Sequence, residues 1–221
     1  MLKTIKTLSL AAAFGITGTI AAQAAVFDFA DITDTLVGEG TWDNQVGPLG
    51  LTDAGITVMA GAAVADGSQP AWAYLDGGNA GLGVCSATIT GAAQCDPASD
   101  DNVGVNAGGG SVEQLSLNFS EEVTLFSLIL RDSTHNLLAD GTSILITNIA
   151  DSFSANFTVG VSNLLDWGSS TDWGFQVNAD LDPEFYISKI HVSPVPLPAG
   201  GLLLLAALGG LTAARRRRKA A

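Results

Sequence analysis

The sequence predicts an all-β domain, a two-layer antiparallel β-sandwich of jelly-roll type, carried between two terminal segments of quite different composition. Two observations predict it. Across residues 26–192, short apolar alternations are broken by Gly, Asp, Asn and Ser, and apolar residues never recur there at the spacing of a long amphipathic helix. Nine candidate strands follow one another with glycine-rich turns between them, which fits two packed antiparallel sheets; an up-and-down barrel is the alternative.

The segment 1–24 precedes the domain. It has two early lysines, Lys3 and Lys6, an apolar stretch over 8–22, and Ala22-Gln23-Ala24 as a small-x-small cleavage triplet. No acidic residue occurs before Asp28, and composition changes sharply at Val26. This three-part pattern predicts a secretory signal peptide cut at Ala22 to Ala24.

The interval 25–193 is long enough, at about 170 residues, for one domain with a real core. It holds all twenty-two acidic residues against two basic ones, Arg131 and Lys189, a net charge of −20. Such a surface repels nucleic acid and anionic lipid and suits a soluble extracellular protein. Cys85 and Cys95 have nine residues between them, and in an exported chain a disulfide is expected.

The candidate strands are residues 26–29, 55–60, 71–75, 112–119, 123–130, 143–148, 153–159, 173–177 and 185–192. Leu115, Leu117 and Phe119 alternate onto one face, as do Phe153, Ala155, Phe157 and Val159, so each set predicts a single buried face. Residues 123–130 are apolar at nearly every position and read as a central strand covered on both sides.

Two places inside the domain offer ligand chemistry. Asp96, Asp100 and Asp101 crowd the loop beside the disulfide, and Glu113 opens the next strand. Carboxylates this close repel unless screened, and Ca²⁺, which takes about six to eight oxygen ligands and tolerates irregular loops, is the cation they would hold. The plain alternative is a solvated acidic loop whose side chains cap turns, and no EF-hand pattern is present. Trp167 and Trp173 flank a Gly- and Ser-containing stretch that reads as an exposed loop able to stack on sugar rings, whereas Trp42, Trp72, Trp167 and Trp173 as a set are too scattered to form a platform.

The segment 194–221 has three parts. Prolines at 194, 196 and 198 lead into an apolar run over 200–214, which stops at Arg215, Arg216, Arg217, Arg218 and Lys219. The prolines set a helix start near Ala199, the Leu/Ala run satisfies its own backbone in lipid, and the basic cluster stays in the cytoplasm. As a helix the run is about 22 Å long against a hydrocarbon core of about 30 Å, a poor permanent anchor.

Val195, Pro196, Leu197, Pro198 and Ala199, followed by an apolar helix and an arginine cluster, resemble the VPLPA variant of PEP-CTERM sorting signals. The order of the internal stretches GLGVC (81–85), QCDPASDDN (94–102) and EQLSLNF (113–119) is similar to a recurrent ectodomain of the same group, in which the first is a turn. The resemblance implies export from a Gram-negative bacterium and a single-pass inner-membrane precursor with a cytoplasmic C-terminus. It further implies processing near the proline motif by an exosortase-like membrane enzyme, and delivery to the cell surface or an exopolysaccharide matrix. It implies no activity.

Catalytic motifs are missing. There is no G-x-S-x-G, H-E-x-x-H, P-loop or dinucleotide fingerprint; His135, in the polar stretch Asp132-Ser133-Thr134-His135, is a poor base for a Ser/His/Asp assembly because sequence neighbours on a loop seldom meet in the geometry it needs, and His191 reads as a residue of the last strand. The expectation is a non-catalytic surface or matrix protein. A Ca²⁺-assisted carbohydrate-binding module is the second reading, and a polysaccharide hydrolase, which needs a carboxylate pair facing a groove, the third.

Overall fold

The computed structural model describes residues 23–86, 88–91, 93–105, 110–178 and 183–195. Ala22, Pro196, Leu197, Pro198, Ala199 and Arg215 to Arg218 lie outside them, as do most of the two terminal segments. Among the described residues no helix is long and apolar enough to cross a membrane.

The chain is mostly antiparallel β-structure. In order, the strands are β1 (Ala25–Asp28), β2 (Gly40–Thr41), β3 (Leu51–Asp53), β4 (Ile56–Val64), β5 (Trp72–Asp76), β6 (Gly81–Cys85), β7 (Thr88–Thr90), β8 (Gln94–Asp96), β9 (Glu113–Arg131), β10 (Ser143–Asn148), β11 (Phe153–Thr158), β12 (Ser170–Val177) and β13 (Tyr186–Pro194). Two short helices, α1 (Phe29–Ile32) and α2 (Trp42–Gln45), sit near the start.

β9 organises the arrangement. Its first half pairs with β12 on one edge and β4 on the other, while its second half pairs with β13, which in turn meets β1 and β6. The first group continues outward through β10 and β11, the second through β5 and β2. Core residues from both groups form one cluster: Leu115, Leu117, Ile146, Trp173 and Phe175 from the first, Phe27, Leu82, Ile187 and Ile190 from the second. Phe27 of β1 meets Phe119 of β9 with ring centroids 6.1 Å apart, tying the two groups across the interior. The result is sandwich-like, with β-branched and aromatic residues on the inward faces as a pleated, half-buried surface favours.

Leu115, Leu117 and Phe119 are buried as the alternation predicts. Residues 112–119 and 123–130, expected as two strands, belong to one strand of 19 residues. The polar Ser120, Glu121 and Glu122 carry no Gly or Pro to break the backbone. They mark where the strand leaves one group and enters the other, and they are tied there: Ser120 Oγ accepts from Thr57 N at 2.9 Å, and Glu122 O accepts from Val195 N at 3.0 Å.

The second half of β9 is also not covered on both sides. Val123, Leu125 and Leu130 are buried, but Phe126 is 57% exposed. The register with β13 shifts beside it, His191 pairing with Ser127 and Val192 with Leu125, so Phe126 is the unpaired residue of a bulge. The GLGVC segment is a further correction. It is not a turn but strand β6, buried along its length, and its glycines serve close approach. A Cβ at Gly83 would lie 2.1 Å from Asp101 O, and one at Gly81, where φ is +114°, would lie 2.5 Å from Ile187 O.

Candidate functional site

The disulfide joins Cys85, the last residue of β6, to Cys95 in β8, with Cα atoms 5.8 Å apart. It pins the loop over 96–102 against the start of β13. Beyond that loop lies a cavity of about 610 Å³ whose walls come from five separate stretches, with Glu39, Asp76, Asp101, His135, Glu184 and Tyr186 among its lining residues. Four of these six are acids.

Each wall group is placed by its own element. Asp76 ends β5 and is buried. His135 sits at the tip of the turn after β9 with φ +64°, and Arg131 Nη1 fixes that turn by donating to His135 O at 2.8 Å. The imidazole reaches back: Nδ1 lies 3.1 Å from Gly78 O, and Nε2 lies 3.0 Å from Asp76 Oδ2. A carbonyl only accepts, so Nδ1 carries a hydrogen. One further proton is then shared between Nε2 and the Asp76 carboxyl, which burial raises and His135 lowers, for a net rise above the usual carboxylate range.

Tyr186 opens β13. Its ring meets the His135 ring edge-on, centroids 5.5 Å apart, and its hydroxyl donates to Asp101 Oδ1. Burial pushes the Asp101 carboxyl up to about 6 despite that hydrogen bond, and burial together with the Asp101 hydrogen bond pushes the Tyr186 phenol upward. The single hydroxyl hydrogen of Tyr74 lies between two acceptors, Glu39 Oε1 at 3.0 Å and Gln94 Oε1 at 2.7 Å; burial, then Glu39, raises its phenol. Of the wall carboxyls, Asp76 is met by His135 and Asp101 by Tyr186.

The four carboxyls singled out for Ca²⁺ do not come together as one set, although Asp100 lies near enough to Glu113 to raise its carboxyl. Asp96 is exposed. Asp100 is buried and its Oδ2 accepts from Ser86 N at 3.1 Å and Ser86 Oγ at 3.0 Å. Asp101 turns to Tyr186. Glu113 is buried as the first residue of β9, with Oε2 accepting from Gly104 N at 3.0 Å and Oε1 unpartnered. The Ser86 hydroxyl has one hydrogen, committed to Asp100, so it does not satisfy Glu113 as well. Burial pushes the Glu113 carboxyl up to about 7, with the Gly104 N–H opposing and Asp100 and Glu184 adding to the rise. Among the described residues the one trio of potential ligand atoms within 4.8 Å of one another is Cys85, Cys95 and Asp100, and its two sulfurs are bonded to each other.

Trp173 is corrected outright as a ligand residue. It lies on β12 opposite Leu117 and Asn148, fully buried on the core face, because residues 170–172 extend the strand and are not an exposed loop. Trp167 closes a 3₁₀ turn and packs edge-on against Phe153 and Phe157, with centroids 6.5 and 6.3 Å away. The pair does not form a stacking platform.

Asp101 is the one residue shared by the sequence-derived set and the cavity. Glu39, Asp76, Glu184 and Tyr186 were not singled out, since they come from distant segments and carry no local motif; His135 was noted only as a poor base. No family model matches the chain, and neither a curated protein nor a solved structure matches it significantly.

Proposed function

We propose that the chain is an exported, non-catalytic cell-surface or matrix protein. In this reading residues 1–24 are a signal peptide, 25–193 the acidic sandwich, with jelly-roll as its finer fold type, and 194–221 a VPLPA-type sorting tail processed by an exosortase-like enzyme. The observation that carries it is the placement of the two ends of the domain. Core strand β1 begins at Ala25, the residue after the Ala22-Gln23-Ala24 triplet, and β13 ends at Pro194, beside Val195 and the rest of the proline motif. The core thus falls between the two proposed cuts. Pairing of the first and last strands, Ala25 opposite Val192, supports the jelly-roll type, and in this reading the two proposed cuts would lie at one pole.

Extracellular polysaccharide is the proposed surrounding, and the inner membrane holds the precursor through the run over 200–214. The non-catalytic part is supported by the cavity itself: Asp76 is engaged by His135, Asp101 by Tyr186 and Glu39 by Tyr74. The test is the intact mass of the protein recovered from the cell surface or medium, with and without the candidate sorting enzyme. Loss of residues 1–24 and of everything beyond the 195–199 motif, dependent on that enzyme, is the expected result. A product that keeps residues 200–221 makes the tail a plain anchor and overturns the sorting part.

Ca²⁺-assisted carbohydrate binding is the second reading, and of its four candidate ligands, Asp96, Asp100, Asp101 and Glu113, Asp101 is the one that lines the acidic cavity. A melting temperature unmoved by excess chelator removes it. The same cavity supplies the groove a polysaccharide hydrolase would need, and release of reducing ends from matrix polysaccharide would replace the non-catalytic reading.

A further inference from the structure

The carboxylates of the acidic cavity come from separate segments: Asp76 and Asp101 are buried, Glu39 and Glu184 exposed. Like charges gathered around one space repel, and a cation among them relieves the repulsion. A single metal ion does not suit the arrangement. No three of these groups, His135 included, bring ligand atoms within 4.8 Å of one another, so the charges surround a space of about 610 Å³ and do not converge on a point. The cation that fits is molecular.

Asn102 adds an independent demand. It lines the same cavity, is 5% exposed, and its side-chain amide hydrogen-bonds to no described residue. Its Cα is packed on β6, 2.8 Å from where a Cβ at Gly83 would stand, and its side chain runs toward the Glu184 wall: a Cβ at Gly104 would lie 2.9 Å from Asn102 Oδ1 and 3.2 Å from Glu184 Cγ. Among the described residues the fully enclosed polar atoms without a partner are Trp42 Nε1, Glu113 Oε1 and Trp173 Nε1; the Asn102 amide keeps contact with the cavity. A buried amide left unpaired is unfavourable, and it calls for a ligand group that both donates and accepts, as a hydroxyl does. The exposed Ser99 and Ser133 add two hydroxyls to the wall, and beside them Ala98 is its one wholly apolar side chain. The hydrocarbon stem of a lysine would therefore find little surface to pack on. A cation on a hydroxylated skeleton meets both demands.

We propose that the acidic cavity binds a protonated hexosamine unit, with its ammonium among the carboxylates, a hydroxyl on Asn102 and no metal. The inference deepens the matrix reading by naming the class of polysaccharide, and it rests on that reading for the choice of a sugar polymer.

The test titrates the full chain, in a sugar-free zwitterionic detergent with chelator present, and reads binding by calorimetry. The probes are a glucosamine tetramer, its fully N-acetylated counterpart and tetralysine. The pH is set near 7, above the Asp101 carboxyl at about 6 and below an amine of about 7.7–8.0. The glucosamine tetramer is expected to bind saturably, and the other two at least about tenfold more weakly. Glu184→Gln and Asn102→Ala are each expected to weaken binding about fivefold or more. Glu121→Gln, which removes the same charge from an exposed site that does not line the cavity, should leave it unchanged, as each melting temperature is checked alongside. Glu184→Gln, an exposed substitution, keeps the test decisive if Asn102→Ala does not fold. The proposal is overturned if the glucosamine tetramer does not bind, or binds only once Ca²⁺ replaces the chelator. It is overturned equally if the N-acetylated tetramer or tetralysine binds as tightly, or if Glu121→Gln weakens binding as much as Glu184→Gln. Failure of tail processing in cells leaves this result untouched, so the two readings fail separately.

Discussion

Glu113 shows how one buried residue sets a pH dependence. Its carboxyl rises from an ordinary value of 4.5 to about 7 because burial removes water from the charged form. A carboxyl with a higher pKa folded than unfolded holds its proton more tightly in the fold. The stability it contributes is full below about pH 4.5 and is lost as the pH rises through about 7. Asp101, raised to about 6, adds in the same direction. Resistance to unfolding in urea is therefore expected to weaken between pH 5 and 8, with about 1–3 kcal/mol of the loss due to Glu113. Glu113→Gln should flatten that slope and raise the midpoint at pH 8, because an amide still accepts from Gly104 N and carries no charge beside Asp100 and Glu184. A slope unchanged in the variant would place the dependence elsewhere. Gly83 makes the opposite demonstration, a residue needed for what it lacks: a Cβ there would meet Asp101 O and Asn102 Cα. Gly83→Ala should cost about 3 kcal/mol or more by overpacking against backbone, measured as a lowered denaturation midpoint.

At the scale of the element, β9 separates apolarity from burial. Leu125 and Phe126 are neighbours, equally apolar in sequence, yet Leu125 is fully buried and Phe126 stands out at the bulge. Leu125→Ala is expected to cost about 2–5 kcal/mol, as buried leucines do, and Phe126→Ser within about 0.5 kcal/mol, as surface substitutions do. Equal losses would show that the outer face of β9 is covered after all. β6 shows the same separation from the other side. A run of Gly, Leu, Gly, Val and Cys has the composition of a turn, but the absence of side chains at Gly81 and Gly83 lets the strand lie directly against Ile187 and Asp101, so it becomes one of the most enclosed elements. Alternation in period two identified the face of β9 at Leu115, Leu117 and Phe119. It missed β2, β3, β7 and β8, of two or three residues each, which are too short to show a period.

The whole molecule carries a charge problem and a connectivity. With −20 on the interval 25–193 and, among the described residues, Lys189 paired with Asp28, self-repulsion opposes the compact state. Raising salt from 10 to 150 mM shortens screening from about 30 to about 8 Å. The melting temperature is expected to rise by roughly 2–4 °C, the shift about 1 kcal/mol gives for a domain of this size; a fall would mean that attractive pairs dominate. The sequence by itself determined the β class, the buried face of the first half of β9, the Cys85 to Cys95 pair and the acidity. Each of these is written in neighbouring residues, in period, composition or a short spacing. Only the tertiary structure decided that Asp96 stays exposed while Asp100, Asp101 and Glu113 are buried, that Trp173 is core, and that Glu39, Asp76, Asp101 and Glu184 share a cavity. These depend on strand pairings between distant segments, such as Thr41 with Tyr74 and Ala25 with Val192, and no local pattern specifies which strand a given strand will find.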